Sequence, residues 1–159
     1  MALGMLGETS GFGFLHWVKF CDQTPDLRAG DILGALSNDA LSAEDAEAYN
    51  APFPDDAYMA GAREFPSLVP FNPENPAIPA NRVAWEVFRK WKKPFLTAFS
   101  DGDPVTEGGE IRFQEEIPGA KSQAHVTIKG AGHFLQEEEP DALVKTTLAF
   151  MQANPIDAQ

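Results

Sequence analysis

The sequence predicts an α/β fold, helices first and a small parallel sheet last, and three features carry that expectation. The run Pro94-Phe95-Leu96-Thr97-Ala98-Phe99 is nearly continuous in apolar residues without helical spacing, the pattern of a parallel strand buried on both faces. A second short run, Ala124-His125-Val126-Thr127-Ile128, follows a polar segment long enough for a crossover helix. Far upstream, Phe14, Trp17, Val18 and Cys21 recur at i, i+3, i+4 and i+7, the apolar stripe of an amphipathic helix.

The elements follow in chain order. From Thr9 to about Ala62 the pattern is helical, and Ser42 with Asp45 three residues on resembles a capping box, in which side-chain oxygens accept from N–H groups that a first turn leaves unpaired. Pro66, Pro70, Pro73, Pro76 and Pro79 then punctuate a segment read as an extended connector, because proline removes a donor and disrupts helix interiors and central strands alike. A helix from about Ala80 to Trp91, with Val83, Val87 and Trp91 at helical spacing, delivers the chain to the first strand. That strand ends in the turn Ser100-Asp101-Gly102-Asp103-Pro104. A polar helix from about Glu107 to Glu116 and the turn Ile117-Pro118-Gly119-Ala120 lead to the second strand. Glu138, Glu139 and Pro140 open the last helix, proline in its first turn and acids at the positive end of its dipole, so the glutamate run reads as helix-end chemistry and not as a metal site. Residues 1–79 form a helical block with its connector, and residues 80–159 the α/β unit.

Composition bounds the function. The 159 residues carry 24 acidic and 12 basic side chains, a formal net charge of -12, which argues against nucleic acid and anionic membrane surfaces as partners. Cys21 is the only cysteine, which excludes an internal disulfide and a cysteine-based metal site. The start, Met1 to Glu8, lacks the positive n-region of a signal peptide, and no apolar run approaches the roughly 18 residues of a membrane span. A soluble, cytoplasmic protein is expected.

Chemistry concentrates at the two strand ends. A strand–helix–strand crossover makes its strands parallel, so the loops that follow them share the sheet edge at which open α/β sheets bind ligands. Asp103 lies in the first loop and His133 in the second, Lys129-Gly130-Ala131-Gly132-His133-Phe134. A base oriented by an acid is two-thirds of a catalytic triad; taken singly, Asp103 could cap its turn and His133 be an ordinary loop residue. Asp101 is the alternative acid. His16 and His125 read as structural. The nucleophile is what the triad lacks: no G-x-S-x-G occurs, and Gly7-Glu8-Thr9-Ser10-Gly11 places its serine one position late and opens a helix. The chain reads as incomplete.

A helical block ahead of the last strands of a parallel sheet occupies the position of a hydrolase cap. The segments Phe14-Leu15-His16-Trp17, Ala51-Pro52-Phe53-Pro54-Asp55, Tyr58-Met59-Ala60-Gly61, Phe65-Pro66, Asp101-Gly102-Asp103-Pro104 and Gly130-Ala131-Gly132-His133-Phe134-Leu135-Gln136-Glu137 resemble the haloalkane dehalogenase family, in its branch that binds halide between two tryptophans. The resemblance covers nearly the whole chain and implies the C-terminal part of an α/β-hydrolase fold with a helical cap, the N-terminal half of the sheet and the nucleophile missing.

For such an enzyme an aspartate displaces halide from an sp³ carbon, and histidine then activates water to hydrolyse the alkyl ester, with no cofactor. The motif match implies His133 as base and Asp103 as acid. Trp17 would donate its indole N–H to halide, and Phe14, Phe65, Pro66, Val69 and Val105 would line an apolar substrate pocket; each of these could equally be core packing. The implied partners are a small haloalkane, water, halide and a complementary N-terminal half, with no metal. Two other readings stay open: an epoxide hydrolase, for which Tyr49 and Tyr58 are the available tyrosines, and a non-catalytic truncated module.

Overall fold

The computed structural model describes residues 8–37 and 41–155; Met1 to Gly7, on which the signal-peptide expectation and Gly7 of the late-serine motif rest, lies outside the described residues. The chain divides between Pro79 and Ala80 into two compact units. It is a mixed fold of helices with a small parallel sheet.

The first unit contains α1 (Glu8–Gln23), α2 (Ala29–Leu36), α3 (Ala43–Asn50), a 3₁₀ turn (Asp56–Met59) and α4 (Ala60–Leu68). The predicted stripe faces inward: Cys21 is fully buried and Phe14, Trp17 and Val18 are half-buried, while Leu15, His16, Lys19 and Phe20 between them are exposed. Cys21, Leu27 and Met59 form the core, with Trp17, Ile32, Phe53 and Ala62 packed against it. Ser42 caps α3 by accepting from Asp45 N–H at 3.1 Å, while the Asp45 carboxylate accepts from the Ser42 hydroxyl at 2.6 Å and not from its backbone, so half of the capping box forms. Arg63 of α4 donates to the carbonyls of Cys21 (2.9 Å) and Thr24 (2.6 Å), pairing groups that the C-terminal end of α1 leaves free.

Two of the prolines fall in helices and correct the connector expectation. Pro66 lies in the last turn of α4, where its buried ring adds apolar contact against the one backbone bond it forfeits. Pro79 is the second residue of α5 (Ile78–Phe88), where an N–H has no intrahelical acceptor in any case. Pro70, Pro73 and Pro76 remain between the helices.

The second unit continues with β1 (Ala98–Ser100), α6 (Gly109–Glu116), a 3₁₀ turn (Pro118–Ala120), β2 (Val126–Ile128), α7 (Leu135–Glu138) and α8 (Pro140–Ala153). β1 and β2 pair in parallel, Phe99 opposite Thr127. Both strands are shorter than their sequence runs suggested, and β1 is half-buried, not closed on both faces. Before β1 the backbone pairs elsewhere: Phe95 N–H donates to Gly119 O at 3.1 Å and Gly119 N–H to Trp91 O at 2.8 Å, bonds to the 3₁₀ turn that take the place of strand ladder.

Val83 and Val87 of α5 are 65% and 55% exposed, and Trp91 lies beyond the helix, so their shared spacing does not mark its buried face. Trp85 and Phe88 turn inward instead. Trp85 stacks on Phe113 at 5.4 Å and Phe113 on Phe95 at 5.7 Å, and these rings bury more apolar area than two valines could. Glu138 ends α7 instead of opening the last helix; Glu139 separates the two, and Pro140 with Asp141 begins α8. Among the described residues no helix is long and apolar enough to cross a membrane.

Candidate active site

Parallel pairing brings the loops after β1 and β2 to one sheet edge, and there His133 Nδ1 lies 3.0 Å from Asp103 Oδ1. Asp103 is 7% exposed, and the His133 side chain keeps one-third of its surface. The same carboxylate organises its own turn: Oδ1 accepts from Val105 N–H at 2.8 Å and Oδ2 from the Thr106 hydroxyl. Turn-capping and imidazole-holding are therefore one arrangement, not alternatives. Burial pushes the Asp103 carboxyl up, but the bonds from Thr106 and Val105 and the facing imidazole outweigh it and hold the group below the ordinary carboxylate range. An ionised Asp103 fixes the proton of His133 on Nδ1 and leaves proton transfer to Nε2. The His133 ring meets Phe134 edge-on at 5.0 Å.

Asp101, the alternative acid, is engaged differently. Its Oδ1 accepts from Gly130 N–H at 2.8 Å and its Oδ2 faces Lys129 Nζ at 3.4 Å. The Gly130 bond, with Lys129, lowers its carboxyl as well. Asp101 thus grips the backbone of the second loop while Asp103 grips the imidazole. Gly102 N–H donates to Ala131 O at 2.9 Å, and a Cβ on Gly102 would stand 2.7 Å from that oxygen, so the approach needs glycine. Gly130 has φ of +81°, a left-handed conformation that glycine adopts without strain.

Three contributors to this edge were not assigned to it from the sequence. The Thr106 hydroxyl, three residues past Asp103, follows the spacing of a side-chain cap and could have been found by it. The Ser100 hydroxyl donates to Gly132 O at 2.7 Å. Glu138, expected only to serve a helix end, turns its carboxylate back to accept from Gly132 N–H.

His125 sits one residue ahead of β2 with both ring nitrogens within the fold, Nδ1 3.1 Å from Thr97 N and Nε2 2.8 Å from Ala120 O. The other sequence candidates divide between the units. Phe14, Trp17, Phe65, Pro66 and Val69 are in the first, Asp103, Val105 and His133 in the second. Trp17 stacks on Phe20 at 5.6 Å and helps line a cleft of about 430 Å³ with Leu27, Ile32, Ala35 and Leu36. Phe14, Phe65, Pro66 and Val69 are not on its wall: Phe14 packs on Phe71 at 5.6 Å, Phe65 is 71% exposed, Pro66 is buried and Val69 half-buried. Val105 is partly exposed beside Asp103, and Tyr49 and Tyr58 present exposed rings. Among the described residues no three His, Cys, Asp or Glu side chains are grouped to hold a metal ion.

No family model matches the chain. It is 47% identical over 145 residues to a protein of Psychrobacter cryohalolentis named haloalkane dehalogenase, a match that covers 91% of this chain and 48% of that protein. It is 43% identical over 140 residues to a haloalkane dehalogenase of Mycolicibacterium paratuberculosis, and 42% identical over the same length to haloalkane dehalogenase 1 of Mycobacterium tuberculosis, each match covering 88% of this chain and 46% of the relative. The chain spans about half the length of the curated relatives it matches.

Proposed function

We propose that this chain, which resembles haloalkane dehalogenases over 91% of its length, supplies the cap and the acid–base half of a hydrolase that cleaves carbon–halogen bonds. Residues 1–79 are the helical cap with its connector, and residues 80–159 the C-terminal portion of an α/β-hydrolase core. A nucleophilic carboxylate from sequence outside this chain displaces halide and becomes an alkyl ester. His133 Nε2 then takes a proton from water, the water oxygen attacks the ester carbonyl, alcohol leaves as the carboxylate is regenerated, and the imidazolium releases its proton to solvent. Asp103 holds the imidazole in the required tautomer and balances its charge once protonated. Trp17 offers an indole N–H to the departing halide, a bond to an anion worth roughly 1.5 to 3 kcal/mol. Phe14, Phe65, Pro66, Val69 and Val105 are proposed to border the haloalkane.

The observation that carries this reading is the bond between His133 Nδ1 and Asp103 Oδ1 at the shared end of two parallel strands. Exposed apolar residues on α5 (Val83, Val87) and α8 (Val144, Leu148, Met151) support the view that further chain packs on this unit.

The test is complementation with the N-terminal half of the Psychrobacter relative. The combined protein is expected to release halide from 1-bromobutane or 1,2-dichloroethane, and the chain alone to release none above a His133→Ala control. In the combined protein His133→Gln should give one burst of halide and then stall with an alkyl adduct visible by mass spectrometry. Release by the uncomplemented chain, or a stalled variant without adduct, would overturn the assignment.

A further inference from the structure

Gly132, the residue immediately before His133, has both of its backbone polar groups held by side chains. Its N–H donates to the Glu138 carboxylate in α7, and its carbonyl accepts from the Ser100 hydroxyl at the end of β1, at 2.7 Å. These groups belong to two successive peptide planes, the second of which ends at the His133 Cα. A peptide plane bonded at one atom can still swing about its neighbours, whereas two consecutive planes fixed from different elements leave the following Cα little freedom. The Glu138 bond is charge-assisted and so stronger than a neutral one. Glu138 is the last residue of α7 and follows Gly132 by six residues, so this bond ties the turn that carries His133 back to the helix that follows it.

We infer that Ser100 and Glu138 are positioning residues for His133, a clamp on Gly132 that sets the imidazole at bonding distance from Asp103. The inference rests on the reading of His133 as the base, and it concerns a part of the site that neither Asp101 nor Asp103 explains. Asp101 and Gly102 fix the beginning of that loop, at Gly130 and Ala131. Without the clamp, rotation at Gly132 would carry the ring away from Asp103 although the strands and the first loop stayed in place. Mispositioning of this kind lowers the rate of a proton transfer far more than it lowers stability.

The experiment reads the imidazole directly, by nitrogen-15 NMR of the histidine rings in the 159-residue chain. The wild type should show a His133 Nδ1 proton in slow exchange with solvent, and Asp103→Asn should abolish it. Ser100→Ala and Glu138→Gln should each speed that exchange by about tenfold, the change expected for one lost hydrogen bond. The signals of His125 should stay where they are, and Ser100→Thr, which keeps a hydroxyl, should restore slow exchange. If Glu138→Gln fails to fold, Ser100→Ala decides alone. Exchange at the wild-type rate in a folded Ser100→Ala variant would overturn the clamp. Halide release by the complemented protein is a separate readout: a clamp that responds as expected without halide release leaves the positioning role standing and removes the dehalogenase reading. Halide release with unaltered imidazole exchange does the reverse.

Discussion

Thr97 N–H donates to His125 Nδ1 at 3.1 Å, which makes Nδ1 an acceptor and leaves the Nε2 proton to donate to Ala120 O at 2.8 Å. The Thr97 hydroxyl, 3.0 Å from the same Nδ1, accepts in turn from Gln114 Nε2 at 2.8 Å. His125 thus joins the approach to β1, the 3₁₀ turn and α6, with both ring nitrogens engaged within the fold.

From this bonding we expect His125→Ala to destabilise the chain by about 1 to 3 kcal/mol, because Thr97, 4% exposed, loses the acceptor for a buried N–H. Denaturant unfolding measures the loss. The His133 Nδ1 proton should persist in the folded variant, and its disappearance would mean that His125 also supports the candidate site.

Asp103 should contribute a stability term with a defined acid limit. Its folded-state carboxyl lies below the ordinary range, after burial has been outweighed by Thr106, Val105 and His133. A depressed carboxyl stabilises the fold fully above its unfolded value, about 3.9, and the contribution is lost as pH falls through the folded value. Asp103→Asn should therefore be less stable than wild type near neutrality, and the difference should shrink in acid. Unfolding free energies measured between about pH 6 and pH 2 for both proteins check this; a constant difference would place the group at an unperturbed pKa.

Gly102→Ala should damage the site without touching either candidate catalytic side chain. The added Cβ would stand 2.7 Å from Ala131 O, a backbone atom that cannot rotate away, so the second loop must move. The expected result is a faster-exchanging His133 Nδ1 proton together with a loss of roughly 1 to 3 kcal/mol, typical of overpacking. Unaltered exchange would show that the loop accommodates the methyl group.

Trp17→Phe separates packing from halide contact. The ring packs against the Cys21, Leu27 and Met59 core, and phenylalanine keeps most of that apolar surface while removing the N–H donor. In the complemented protein bromide should bind at least about tenfold more weakly, the loss of one bond to an anion. An unchanged bromide dissociation constant would leave Trp17 a core residue.

Much of the fold was legible because its signals are local. The stripe from Phe14 to Cys21 depends on a 3.6-residue period, and the Ser42 cap on a spacing of three. The α5 stripe misled because periodicity names a set of faces and not the one that is buried; Val83 and Val87 share helical spacing as fully as Trp85 and Phe88, and only the neighbouring rings of Phe113 and Phe95 select between them. Strand length failed for a related reason. An apolar run fixes a preference for burial, while the ladder forms only where a partner's N–H and C=O groups are in register, here over three residues.

At the candidate site, the sequence by itself determined that a carboxylate and a histidine follow consecutive strands, since the order of runs and turns dictates which loops share an edge. The motif match kept Asp101 as the alternative and favoured Asp103 as the partner of that histidine. Tertiary structure divided their tasks, giving Gly130 N–H to the first and the imidazole to the second across 29 and 30 residues. Only tertiary structure also set the Ser100 hydroxyl on Gly132 O, 32 residues away, and turned Glu138 back onto Gly132 N–H. Hydrogen bonds of this kind carry no periodic signature: each depends on where two loops come to rest within a few tenths of an ångström, which is fixed by the packing of the strands and helices beneath them.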